Sequence, residues 1–373
     1  MGTRSMATGV SLSSSATASA AVTPRFRVAT ATRASFVTAA LAVVVVAALI
    51  AAPSFVSRGT LKDLFFVLTL IALAQYWNLL AGYAGILSIG QQAYVGLGGY
   101  MLFALTAFAG LDPIVAIVVA GAIGGLVAIP AARLIFRLSG PYLGVGTWVL
   151  AEVFRLVFAQ VKSLGGGTGA SLPTSVTNDA WSVKGLAAFE GLRASAARDR
   201  LAYWLAVVVA VGTVVLVYQV LRSRQGLALA AIRDNEAAAS SIGVDQARAK
   251  LWVYVVAGFG ASLVGALMFF ETARVSPDAA FSVIDFTAYV LFVVVIGGIG
   301  TIEGPIVGAL VFYEMRNWLA DFGPSYLMAL GALAIATMLL FPAGLWGALS
   351  EKLGWRLFPV QRRLVVRERG DKP

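Results

Sequence analysis

Apolar residues in this chain come in long blocks, not in alternation. Charge-free stretches run from Ala34 to Ser57, Leu64 to Leu111, Leu201 to Leu221, Leu251 to Phe270 and Ser325 to Ser350. A helix needs about 20 apolar residues to cross the hydrocarbon core of a bilayer. Lipid offers the backbone no hydrogen-bond partner, so blocks of this length predict helices. The period-two pattern of a membrane barrel is missing. The expected fold is therefore all-α: a polytopic transmembrane helix bundle of about ten spans (8–10). The first five cover Phe36 to Phe55, Leu64 to Leu80, Ile86 to Phe108, Ile114 to Ile135 and Tyr142 to Val161. After a polar stretch from Lys162 to Arg200 comes the sixth, Leu201 to Leu221. A charged segment, Arg222 to Lys250, precedes the last four: Leu251 to Phe270, Val283 to Gly297, Pro305 to Leu319 and Tyr326 to Trp346. The eighth and ninth are the weakest. They fit either two helices or one broken, re-entrant element around Gly297, Gly298 and Gly300.

Composition narrows the class. The chain is 59% hydrophobic and 12% charged, against about 25% charged in a soluble domain. Its net charge of +10 raises nucleic acid as a partner, but the basic residues flank apolar blocks, so no nucleic acid is expected. Arg25, Arg27, Arg33, Arg133, Arg137, Arg222, Arg224, Arg233, Arg248, Lys250 and the tail fall on one side of a ten-span bundle, which the positive-inside rule makes cytoplasmic. Both termini then face the cytoplasm. Lys184, Arg193, Arg198 and Arg200 fit this less well, since they lie in an outside loop beside Asp179, Glu190 and Asp199. Met1 to Arg33 is rich in Ser, Ala and Thr and reads as a disordered cytoplasmic segment. Ala34 to Ser57 reads as an anchor, being long for a signal peptide and lacking a clear cleavage site. The expected division is 1–33 disordered, 34–349 a transmembrane domain holding the charged segment 222–250, and 350–373 a basic cytoplasmic tail. The sequence has no His and no Cys, which excludes disulfides, Cys-based metal sites, haem-ligating His and a Ser-His-Asp triad.

Three segments depart from plain apolar helix. The first is Gly82-Tyr83-Ala84-Gly85-Ile86-Leu87-Ser88-Ile89-Gly90-Gln91-Gln92, where glycines and two glutamines interrupt an uncharged run. Polar groups at membrane depth need partners or water. The segment fits a transport pathway (Tyr83, Ser88, Gln91, Gln92) or a helix–helix interface equally well. The second is the Ala- and Leu-rich run Arg222 to Val244, helical by propensity and stopped by Gly243. It fits a cytoplasmic helix that docks in a groove of another subunit, or a solvated loop. The third is Val294 to Ala309, a glycine-rich helix break that fits a turn or a pathway lining through Gly297, Gly298, Gly300 and Thr301. It is not a phosphate loop, because G-x-x-x-x-G-K-[ST] occurs nowhere in the chain. Small-residue pairs at Gly121/Gly125, Ala261/Gly265 and Gly304/Gly308 suit close helix packing. Glu152 and Arg155 share a helical face and fit a buried pair, a pathway site or snorkelling side chains.

These segments carry a resemblance. Asn78-Leu79-Leu80-Ala81-Gly82-Tyr83-Ala84-Gly85 with Ser88, Gly90, Gln91, Ala93, Gly96 and Gly99-Tyr100 resembles the early signature of LivM-type permeases of branched-chain amino acid ABC importers. Tyr94 and Gly99 stand where that family usually has Phe and Ala. Ser223 to Gly243, with Ala231-Ile232-Arg233-Asp234-Asn235-Glu236, is similar to the family's ATPase-coupling loop, one residue longer than the usual E-A-A-x-x-x-G. Val294 to Ala309 resembles its V-x-G-G-x-G-T-x-x-G-P-x-x-G-A stretch, and Gly165 to Gly169 its glycine-rich outside loop. The resemblance spans Leu64 to Trp346. It implies a non-catalytic permease subunit in the bacterial inner membrane, without cofactors. Its implied partners are a homologous LivH-type permease, LivG- and LivF-type ATPases that bind the ATP, a periplasmic substrate-binding protein and membrane lipid. Arg233, Asp234, Asn235, Glu236 and Gly243 are the implied ATPase-coupling residues. Related permeases take urea or short amides, and an ion-coupled secondary transporter is the rival of another class.

Overall fold

The structure is a computed structural model that describes residues 26–29, 33–319, 325–353, 357–358 and 363–366. The chain divides into two compact units, Met1–Thr32 with Gln361–Pro373, and Arg33–Val360. In the first, Phe26–Ala29 pairs antiparallel with Arg363–Val366. These four residues are thus a strand within the segment expected to be disordered; most of that segment lies outside the described residues.

The second unit is helical. It runs through α1 (Arg33–Ala51), α2 (Arg58–Asn78), α3 (Gln91–Phe108), α4 (Pro113–Ile135), α5 (Pro141–Gln160), α6 (Thr174–Thr177), α7 (Trp181–Glu190) and α8 (Ala194–Arg222). It continues with α9 (Arg224–Asp234), α10 (Glu236–Ser241), α11 (Gln246–Thr272), α12 (Pro277–Ala280), α13 (Tyr289–Gly297), α14 (Glu303–Leu319), α15 (Ser325–Leu340) and α16 (Gly344–Leu353). Two π turns extend the frame: Leu79–Tyr83 prolongs α2, and Ile284–Ala288 leads into α13. Polar residues at the block edges start the helices. Ser57 Oγ accepts from Thr60 N at α2, Asp112 from Ile114 N at α4, and Asp245 from Arg248 N at α11. Each side chain satisfies an amide that the first helical turn leaves open.

The chain is an all-α membrane bundle. Seven helices among the described residues are long and apolar enough to cross a membrane: Arg58–Tyr83, Pro113–Ile135, Pro141–Gln160, Ala194–Arg222, Gln246–Thr272, Pro277–Gly297 and Leu327–Lys352. The ten expected spans exceed this number by α1, α3 and α14. In α1 the apolar stretch Ala40–Ser54 is shorter. α3 begins at Gln91 instead of Ile86, because residues 85 to 90 are not helical. α14 has 17 residues. The eighth and ninth segments are two separate helices joined across 298–302.

Burial orders the bundle. The α2 span is 83% buried and the α11 span 72%, whereas the α5 span is 17% buried. Val145, Val149, Val153 and Leu156 form an exposed apolar face on α5. In water that face would be a liability; it is suited to lipid or another subunit. The centre is tight because small residues let backbones meet. A Cβ on Gly98 would lie 1.9 Å from Ser262 O, and one on Gly265 2.1 Å from Val95 O. Ser262 Oγ also donates to Ala120 O at 2.8 Å, so α11 grips α3 and α4 at one residue. Of the small-residue pairs, Gly265, Gly304 and Gly308 sit in such contacts. On α4 the closest approach belongs to Gly124, 2.2 Å from Ser262 Cβ, and not to Gly121 or Gly125.

Polar contacts mark two ends. At the Arg58 end of α2, Arg58 pairs with Asp199 at 2.5 Å and Lys62 with Glu271 at 2.8 Å. Ser182 Oγ donates to Asp112 at 2.9 Å, and Ala170–Ser171 pairs with Arg274–Val275. The basic residues that fit the charge rule poorly are largely matched here: Arg200 with Glu190, Arg198 with Asp199 and Lys184 with Asp179. Glu152 and Arg155 form a partly exposed network with Asp278. They are neither buried nor alone.

Filling the α3–α11 contact should break the bundle. Gly98→Val is expected to cost more than the about 1–3 kcal/mol of ordinary overpacking, read as loss of a cooperative melt in detergent. Gly212→Ala, where a Cβ meets nothing within 4 Å, is expected to melt like the wild type.

Candidate functional site

At the Gly82 end of α2 the three unusual segments meet. α13 stops at Gly297, and the chain crosses residues 298 to 302 before α14 begins. Gly298 and Gly300 take φ values of 130° and 77° there, a region L side chains avoid. A break of this kind strands backbone groups, and buried ones must find partners. Thr301 supplies some, since its hydroxyl donates to Gly298 O at 2.9 Å and accepts from Gly304 N at 3.0 Å. α2 supplies partners for three more. Asn78 Oδ1 accepts from Gly300 N at 2.8 Å, and Asn78 Nδ2 donates to Thr301 O at 2.8 Å. Gln75 Nε2 donates to Ile302 O at 2.6 Å. Both side chains are fully buried.

The close approach explains the glycines. A Cβ on Gly82 would fall 2.2 Å from Asn78 Oδ1 and 2.7 Å from Gly300 N. Gly297 lies against α14, where a Cβ would sit 1.9 Å from Gly304 O. Arg233, the penultimate residue of α9, reaches into this junction. Its Nη1 donates to Gly82 O at 3.1 Å, and a Cβ on Gly300 would be 3.5 Å from the same atom. One guanidinium thus bridges the charged segment and the point where α2 meets the α13–α14 break.

The other residues expected to couple lie just beyond. The expected single helix is two, α9 and α10, divided at Asn235, whose φ of −162° and ψ of 111° leave the helical range. Asn235 Oδ1 accepts from Ala238 N at 3.0 Å and so caps α10. Asp234 is exposed and lies 3.4 Å from Arg233. Glu236 pairs with Lys250 at 2.6 Å. Gly243 turns the chain at φ 85° with open space around its Cβ position, so its requirement is conformational. Leu227 and Ile242 remain 73% and 75% exposed on this otherwise charged segment.

The other pathway candidates follow α2. Tyr83 closes the π turn. Residues 85 to 90 form a non-helical strap: Trp77 Nε1 donates to Ser88 O at 2.8 Å, and Ile89 N to Thr147 Oγ1 at 2.9 Å. Ser88 Oγ accepts from Gly90 N at 3.3 Å. Gln91 Nε2 donates to Leu73 O at 3.0 Å, and Thr287 Oγ1 donates to Gln92 Oε1. Both glutamines are buried and act here as ties between helices. The junction therefore joins Gly300 and Thr301 with Arg233, while Gln91 and Gln92 sit higher in the bundle. Gln75 was missed by sequence reasoning. Its signal was available: Gln75 and Asn78 are polar, three apart on one helical face, inside an uncharged run.

Removing the buried ties should cost stability in proportion to the groups orphaned, at about 1–3 kcal/mol each. Asn78→Ala frees two backbone groups and Gln75→Ala one. Thermal melts of the detergent-purified chain are expected to rank wild type above Gln75→Ala above Asn78→Ala. Equal melts would show that the break is held by something else.

The chain is 27% identical over 315 residues to the high-affinity branched-chain amino acid transport system permease protein LivM of Escherichia coli (strain K12), covering 79% of this chain and 72% of that one. It matches the LivM protein of Salmonella typhimurium (strain LT2) with the same identity and coverage. No solved structure matches it. Residues 59–342 match the family described as branched-chain amino acid transport system / permease component. That stretch runs from the second residue of α2 through α15 and holds the whole Gly82–Gly300–Arg233 junction, and the chain belongs to this family.

Proposed function

We propose that this chain is the permease subunit of an ABC importer in a bacterial inner membrane. With a homologous LivH-type permease it forms the translocation pathway for branched-chain or related amino acids. Separate LivG- and LivF-type ATPases drive it, and a periplasmic binding protein delivers the substrate. The chain itself is non-catalytic and needs no cofactor. In this reading the bundle has about ten spans (8–10), the shorter α1, α3 and α14 adding to the seven long helices, with both termini in the cytoplasm. The named relatives support the substrate class.

The observation that carries this reading is the Arg233–Gly82 hydrogen bond. α9 and α10 offer a docking surface of the right chemistry, with exposed Asp234 and Glu236 beside the exposed apolar Leu227 and Ile242. A short charged helix pair that also exposes apolar side chains suits a groove on another subunit. A motor that displaces α9 pulls on Arg233, and Arg233 holds the inner end of α2 where it carries the α13–α14 break. A hydrogen bond from a charged donor is worth about 1.5–3 kcal/mol, comparable to the free energies that shift two-state equilibria. Movement of the ATPases thereby becomes movement of three helices at the pathway.

In the assembled transporter, replacing Arg233 and Glu236 together with Ala is expected to leave ATP hydrolysis running while uptake falls at least about tenfold, the equivalent of about 1.4 kcal/mol. Unchanged uptake in proteoliposomes would defeat the coupling role. Orientation has its own check, since the chain has no native Cys and a single one can be placed at will. Ala237→Cys is expected to react with an impermeant maleimide only in inside-out vesicles. Asp179→Cys is expected to react only in right-side-out vesicles.

A further inference from the structure

A cavity of about 230 Å³ lies between α2, α11, the Ile284–Ala288 π turn, α13 and α14. Its wall is mostly apolar, with Phe66, Leu70, Phe269 and Phe286 among the lining residues, yet it carries one acid and one base, Asp285 and Arg316. Asp285 lies in the Pro277–Gly297 span and Arg316 near the end of α14; both are exposed in the single chain, and neither makes an ion pair among the described residues. The Arg316 guanidinium sits over the Phe66 ring at 4.5 Å, which holds it at the wall while leaving its donors open. Asp285 sits in a π turn; such turns occur often at functional sites, because the widened helix re-aims a side chain.

A charge near the edge of a span can still reach water, so what singles these two out is their place on one apolar-walled cavity. Two opposite charges on one small apolar cavity define a ligand: an anion at Arg316, a cation at Asp285 and an apolar body between the aromatic rings. The volume is below the about 300–1,000 Å³ of drug-sized sites, which restricts the ligand to a small solute. Arginine presents a planar fork that matches a carboxylate with two parallel hydrogen bonds, and a carboxylate such as Asp285 accepts from a primary ammonium. We propose that this cavity is a substrate site, taking a zwitterionic α-amino acid with an apolar side chain, its carboxylate on Arg316 and its ammonium near Asp285. The proposal rests on the permease reading above and adds to it the residues that recognise the solute. An aminophospholipid headgroup shares the zwitterion, so the test separates the two sources.

The assembled transporter in phosphatidylcholine nanodiscs is irradiated with a diazirine analogue of leucine, and the labelled peptides are mapped. Labelling is expected on peptides that contain Leu70 or Phe286. Excess leucine is expected to suppress it at least tenfold, whereas 3-methylbutylamine and 4-methylpentanoate, each with one charge, suppress it little. Arg316→Gln and Asp285→Asn are expected to lower it at least tenfold in complexes that still co-purify; Arg316→Lys and Asp285→Glu, which keep the charges, retain most of it. Labelling that maps elsewhere, that survives both neutral variants, or that the singly charged compounds suppress as well as leucine does would overturn the proposal. So would displacement of the probe by phosphatidylethanolamine but not by leucine, which would make the cavity a lipid site. A transporter that takes up leucine with ATP but is not labelled here refutes the site alone. One that takes up no amino acid at all refutes the functional reading beneath it.

Discussion

A helix that ends inside a packed bundle leaves amides and carbonyls out of reach of water, and in this protein two side chains answer that demand. Asn78 and Gln75 take up the backbone of Gly300, Thr301 and Ile302. Much else at this end of the bundle follows from that contact. Gly82 must lack a side chain so that α2 can approach the break. Gly297, Gly304 and Gly308 must be small so that α13 and α14 can fold back on each other. Arg233 finds its acceptor on Gly82 because the π turn presents that carbonyl to the charged segment.

The two ends of α2 consequently serve different tasks. Its first turns bear Phe66 and Leu70 on the charged cavity; its last turns bear the ties to the break. α2 is the most buried span and packs along α8, α11, α13 and α14. Packed interiors are stiff and transmit displacement instead of absorbing it. A helix held this way passes a shift at one end on to the other, which is the mechanical property a gate between two compartments requires.

Much of this was legible in the sequence. Charge-free blocks located the helices, since length and hydropathy are local properties. Glycine-rich interruptions located the unusual segments, since only Gly tolerates the conformations and contacts required. What could not be read was who meets whom. Asn78 and Gly300 are 222 positions apart, and no local pattern pairs them. Residues 86 to 90 read as span because they are uncharged, yet Gly85 at φ 68° and the Thr147 contact pull them out of the helix. The split at Asn235 escaped because Ala-rich flanks on both sides favour helix, while its side chain prefers to cap. Asp285 and Arg316 escaped because each lies near the edge of a weak span, where a charge reads as flanking; only folding brings them to one cavity.

The separation of those partners along the chain also governs how the protein is made. A ribosome adds about 5–20 residues per second. Gln75 thus reaches the bilayer some tens of seconds before Ile302, the acceptor 227 positions later, has been synthesised. Through that interval α2 carries two unsatisfied amide side chains at membrane depth. Biogenesis must therefore shelter this helix, through the insertion machinery or through its earlier-made neighbour α8, until the last fifth of the polypeptide arrives to claim it.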